Sequence, residues 1–209
     1  MITFFVLLPV IVGLFRHKKL DDTYKILLYT CIIGSVTHIV YLLFIKFPPV
    51  WNNLFNYTRS LVWYPPFVYV TLSWSAIKKR NQAFFIYIII YFVSILLEIY
   101  VVGLHEIRAS LALSFNNFID VLMLLYCLNV LLFMKMPAKV NLSKILVIVP
   151  FLIHTTYMIS LDIFMFFIYS DETTAFFKNA YNFILFLGLI ANISRAASLW
   201  FAPEKEVFI

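Results

Sequence analysis

Residues Ala109–Phe133 read A-S-L-A-L-S-F-N-N-F-I-D-V-L-M-L-L-Y-C-L-N-V-L-L-F. The run is long enough for a membrane-spanning helix, which needs roughly 20 mostly apolar residues. Its only charged side chain is Asp120, near the middle. Asn116 lies one helical turn earlier and shares a face with Asp120, and Asn117 adds a second amide. Polar groups at that depth are expensive in lipid and are kept where they face protein or a wet cavity.

The rest of the chain has the same character. Of 209 residues, 64% are apolar and only 12% charged, and the mean hydropathy is +0.96. Soluble domains carry about 25% charged residues. Seven spans would use most of the chain, so function has to lie in helices and short loops. The net charge of +6 comes from basic residues scattered over separate loops. This is an orientation bias and not a nucleic-acid surface. Cys31 and Cys127 sit inside apolar runs and suggest neither a disulfide framework nor a thiolate metal site. No basic residue precedes the first apolar run, so it reads as a membrane helix and not a cleaved signal peptide.

Along the whole chain, helices are expected at about 2–15, 25–45, 57–77, 83–102, 109–133, 144–169 and 175–200, forming one all-α transmembrane domain over 1–209. Phe47-Pro48-Pro49 with Asn52-Asn53 reads as a loop, and Pro65-Pro66 as a kink inside the third helix. Twelve Lys and Arg residues fall on one set of alternate loops. The other set holds only Lys46, Arg59, Arg108 and Lys178. The positive-inside rule then puts the N-terminus outside and the C-terminus in the cytoplasm.

A weak repeat accompanies this topology. Val12-Gly-Leu-Phe15, Lys25-Ile-Leu27 and Trp74-Ser-Ala76-Ile-Lys-Lys79 return in order as Val130-Leu-Leu-Phe133, Lys144-Ile-Leu146 and Trp200-Phe-Ala202-Pro-Glu-Lys205. It would relate helices one to three to helices five to seven, a 3+1+3 arrangement with helix four as connector. Parallel repeats of this kind occur in some transporters.

Four stretches resemble a family of small seven-helix membrane proteins of Bacteroidota. They are Leu8-Pro9-Val-Ile-Val-Gly-Leu-Phe-Arg16 leading into Lys25-Ile-Leu-Leu-Tyr29, Asn52-Asn53-Leu54, Pro150-Phe-Leu-Ile-His-Thr-Thr-Tyr157, and Leu199-Trp-Phe-Ala-Pro-Glu-Lys-Glu206. The resemblance implies the same topology and a bacterial inner-membrane location, and transfers no catalytic residue. Other seven-helix families fit less well. Microbial rhodopsins carry a retinal-binding lysine midway along helix seven, whereas Lys178 lies near the outer end here. There is no Pro-Gln pair of the sugar-carrier type. His17, His38, His105 and His154 lack the His-x-x-x-His spacing of ceramidase-like hydrolases.

Depth sorts the polar residues. Glu98, Asn116, Asn117, Asp162, Lys178, Asn182, Arg59 and His38 belong to the outer half, with Asp120 and His154 as its floor. The inner half is largely hydrocarbon; the exceptions are Asn192 and Arg195, which is expected to snorkel to the inner surface. These residues predict an outward-opening polar pocket that takes a small polar or cationic ligand.

Absence of a catalytic motif favours ligand binding or sensing through a membrane partner protein. The repeat, the Pro pair and the membrane acids suit a small-solute or proton-coupled transporter instead. The same composition also admits a non-catalytic subunit of a membrane complex or an intramembrane lipid enzyme. For the enzyme, the residues offer no nucleophile beside a base and no metal-ligand spacing, and no cofactor or metal is implied.

Overall fold

The computed structural model describes residues 2–44, 49–75, 77–103, 110–133, 138–168 and 174–204. They form α1 (Ile2–Arg16), α2 (Asp22–Phe44), α3 (Pro49–Trp74), α4 (Arg80–Val102), α5 (Leu111–Phe133), α6 (Ala138–Ile168) and α7 (Thr174–Phe201). No strand occurs among the described residues; one isolated antiparallel bridge joins Leu20 to Glu204.

Two boundaries differ by six residues or more from those the sequence suggests, and the others by three or fewer. Helix α3 starts at Pro49, so Asn52 and Asn53 are helical and not a loop. Proline suits the first helical position, where its missing N–H is no loss and its φ is already helical. Helix α6 starts at Ala138, six residues before Lys144. The expected loops at 47–48 and 104–108, Lys46, Arg108, His105, and the side chains of Arg59 and Lys178 lie outside the described residues.

Five helices contain stretches long and apolar enough to cross a membrane: Asp22–Val40, Arg80–Val102, Leu111–Phe133, Val140–Phe164 and Asn182–Phe201. Such a set is the mark of a multi-pass membrane protein. Helix α1 is short, and α3 carries Asn52, Asn53, Asn56 and Arg59 in its first turns.

Each helix packs on its chain neighbours, except that α3 also packs on α5 and α1 on α7. The result is a closed ring of α1, α2, α3, α5, α6 and α7, with α4 applied to the outside of the α3–α5 seam. Successive helices run in alternating directions between two ends, which we call the Arg16 end and the Glu98 end.

Helix α4 is inverted relative to a helix in water. Its buried stripe is Tyr87, Tyr91, Ile95 and Glu98, while Phe85, Ile86, Phe92, Leu96 and Leu97 are exposed. Polar groups inside and hydrocarbon outside is the pattern that lipid selects, because lipid offers no hydrogen bonds to a polar side chain.

The Arg16 end is closed by apolar packing and one clamp. Leu20, Leu27, Leu28, Trp74, Leu131 and Leu199 are part of a continuous buried core. Tyr24 meets Ser143 within it. The last carbonyls of a helix lack intrahelical donors. Here the Arg16 guanidinium donates to Leu199 O at 3.2 Å, to Trp200 O, and to Ala202 O at 3.1 Å. Outside this clamp, Lys19 Nζ reaches Glu204 Oε1 at 2.9 Å.

Candidate functional site

Helices α4 and α5 run antiparallel, so residues ascending one meet residues descending the other. The outcome is a ladder of polar contacts. Its first rung is at the Glu98 end. There Glu98 accepts from Tyr57 Oη at 2.6 Å, from Ser110 Oγ at 2.5 Å and from the Leu111 backbone N–H at 2.6 Å. The Leu111 N–H opens α5, so the carboxyl caps that helix where a negative charge is favoured. One turn deeper, Asn116 Nδ2 donates to Ser94 Oγ at 2.8 Å. On the flank facing α6, the Ser114 hydroxyl lies 3.0 Å from both Asp162 Oδ2 and the Ser110 carbonyl.

The ladder stops at Asp120, which is 2% exposed. Neither of its carboxyl oxygens has a hydrogen-bond partner. Tyr87 of α4 lies beside it and interacts with it, but the contact falls short of hydrogen-bond geometry. Tyr91 and Tyr64 stand next to Tyr87, with ring centroids 5.7 Å apart for Tyr87–Tyr91 and 6.4 Å for Tyr64–Tyr91. Of the acids placed in the ladder, Glu98 and Asp162 are hydrogen-bonded and Asp120 is not.

Below Asp120, toward the Arg16 end, the seam of α3, α4 and α5 opens into a groove of about 430 Å³. Leu72, Ile90, Ile119 and Met123 line it, and Tyr87 forms part of its wall. Ile86, Leu122 and Tyr126, which also line it, are about half exposed on the outer surface of the bundle. Asp120 therefore sits where a polar ladder from one end meets an apolar groove from the other.

The sequence-derived residues divide into groups. Glu98, Asn116, Asp162 and Asp120 share the ladder, and Asn117 is buried next to Asn116. His38 is half-buried on α2 and Asn182 is exposed on α7, helices that are not principal neighbours of α4 or α5. His154 is elsewhere again. Its ring stacks on Phe151 with centroids 6.5 Å apart, and it faces Arg195. Arg195 does not snorkel, contrary to the expectation from its depth: it is 8% exposed. In a helix the Cα–Cβ bond tilts toward the N-terminus. On α7 that direction leads into the bundle, away from the nearer aqueous end.

Sequence reading missed the tyrosines. The chain has thirteen, so no single one stands out. A signal existed in the helical spacing of Tyr87, Tyr91, Ser94 and Glu98, which lays one polar stripe on an otherwise hydrocarbon helix. Among the described residues, no three His, Cys, Asp or Glu side chains gather as metal ligands. No protein-family model, no curated protein and no solved structure matches the chain.

Proposed function

We propose that this is a bacterial inner-membrane protein of seven spans that binds a small amphipathic molecule with a cationic head. Binding would be read out through a membrane partner protein. The N-terminus is outside, so the Glu98 end is the outer one and the groove lies in the inner half of the bilayer. The family resemblance and the asymmetry of Lys and Arg support this orientation.

One observation carries the binding site: Asp120 is buried mid-helix with neither carboxyl oxygen hydrogen-bonded. An acid at the centre of a spanning helix costs about 2.5–3.5 kcal/mol even where relief is available. The ladder spends its donors on Glu98 and Asp162 and leaves Asp120 pointing at Tyr87, the wall of the groove. An apolar body in the groove would bring a cationic head to that carboxyl.

The test is titration of the full-length protein in lipid nanodiscs with decylamine, and with decanol as the uncharged match. Saturable decylamine binding that Asp120→Asn weakens at least tenfold, with decanol much weaker, is the expected result. Equal binding of the two probes, or unchanged decylamine binding by Asp120→Asn, overturns the reading.

A second reading, a small-solute or proton-coupled transporter, is favoured by the ring itself. Exchanging α1–α3 with α5–α7 maps its helix pairs onto one another, with α4 as the odd element. Proteoliposome uptake abolished by Asp120→Asn would select it.

A further inference from the structure

We propose that Arg195 anchors a second binding site, which takes a small carboxylate inside the bundle between α2, α3, α6 and α7. The guanidinium lies over the Trp63 ring at 5.2 Å and the Phe151 ring at 5.5 Å. Trp63 meets Phe151 edge-on at 5.8 Å. Nη1 donates to Asn192 Oδ1 at 2.9 Å, one turn toward the interior. Cys31 and Tyr64 lie within electrostatic range, as does His154. The aromatic wall is held against α2 by Gly34, where a Cβ would come within 2.7 Å of Trp63 Nε1.

A guanidinium stays charged at any pH a protein meets and carries five N–H donors. Here one is committed to Asn192. Among the described residues, ion pairs within 4.0 Å join Arg16 and Lys19 to Glu204 and Lys25 to Asp22, and none involves Arg195. Aromatic faces offset a buried cation only in part, and an uncompensated buried charge is strongly unfavourable. Among the described residues, no acid reaches Arg195: Glu98 and Asp162 are hydrogen-bonded within the α4–α5–α6 ladder, and Asp120 lies beside Tyr87 there. The compensating anion then comes from outside the chain.

Its class follows from the fork. A planar two-oxygen anion matches a guanidinium with two parallel hydrogen bonds, whereas a spherical halide does not. Trp63 and Phe151 both lie against the guanidinium, and a carboxylate would meet the N–H donors that Asn192 does not take. Tyr64 and His154 lie close by. Such a carboxylate could arrive as a free solute or as the head of a fatty acid.

Trp63 makes the test direct, because its ring touches the cation. The full-length protein in nanodiscs is titrated with sodium acetate, sodium decanoate or sodium chloride at constant ionic strength. Tryptophan fluorescence and thermal melting are followed. A saturable fluorescence change and a raised melting temperature with a carboxylate, at least tenfold weaker in Arg195→Lys and lost in Arg195→Gln, are expected. Trp63→Phe should lose the fluorescence change and keep the thermal shift. Comparable half-saturation by acetate and decanoate identifies a solute, and much tighter decanoate a lipid-derived acid. Chloride equal to acetate, no saturable response to either carboxylate, or an unchanged response in Arg195→Lys overturns the proposal. If Arg195→Gln does not fold, Arg195→Lys decides alone. Decylamine binding at Asp120 should be unaffected by Arg195→Lys, so the two sites can fail separately.

Discussion

The hydroxyl of Tyr57 donates to Oε2 of Glu98 at 2.6 Å, across 41 residues of chain. With Ser110 and the Leu111 N–H on the same carboxyl, this one acid ties α3, α4 and the start of α5 together. Each such hydrogen bond contributes about 1 kcal/mol net. Glu98→Ala should therefore lower stability by about 2–3 kcal/mol and Tyr57→Phe by about 1 kcal/mol. A double-mutant cycle should return a coupling of about 0.6–1.7 kcal/mol, the range found between membrane helices. Unfolding in mixed micelles measures all three. A neutral Glu98→Ala would remove its role as a staple.

Asp120 should behave in the opposite way. Neither of its oxygens is hydrogen-bonded, so nothing is lost by deleting them. Asp120→Leu replaces an unpaired buried acid by hydrocarbon and should raise stability by about 1 kcal/mol or more while abolishing decylamine binding. A lower melting temperature would mean that the carboxyl has a structural partner.

The glycines give a graded steric test. A Cβ at Gly34 would lie 2.7 Å from Trp63 Nε1, on a ring already packed against Phe151. At Gly188 the nearest atom, His154 Nε2, would be 4.0 Å away. Gly34→Ala should cost about 1–3 kcal/mol, as overpacking does, and Gly188→Ala close to nothing. Thermal melts of the two variants side by side would show whether Trp63 is as fixed as its contacts require.

The α1–α7 seam offers a contrast between inner and outer charges. Arg16 serves three carbonyls at the end of α7, and Arg16→Ala should cost about 2–3 kcal/mol. The Lys19–Glu204 pair is exposed on both sides, and Lys19→Ala should cost less than about 1 kcal/mol. Equal losses would contradict the division.

Helices were legible in the sequence because hydropathy reports length and depth directly. Ala109–Phe133 announces α5 almost to the residue. The start of α3 was not legible, since Pro48-Pro49 and Asn52-Asn53 satisfy the rules for a turn and for a first helical turn equally well. Depth along the axis was readable for Glu98, Asn116 and Asp120; rotation about the axis was only partly so. His154 and Asp120 share a depth, yet His154 faces Arg195 while Asp120 faces Tyr87. Facing depends on which helices are neighbours, and the α3–α5 and α1–α7 contacts that close the ring leave no local mark on the residues between them. Arg195 departs from the snorkelling its depth suggests because a helix points its side chains toward its own N-terminus.

The Arg16 clamp also bears on how the molecule is built. Its carbonyl partners lie more than 180 residues further along the chain. During synthesis α1 reaches the bilayer while every helix it needs, apart from α2, has yet to be made. It is the shortest helix of the ring and must wait there, its terminal arginine holding nothing. The Arg195 cluster is on α7 too, so neither the seam nor the second site exists in any partly made chain. Ring closure is thus a late checkpoint, and damage to the seam should be visible to the cell's membrane quality control before it is visible in any binding assay.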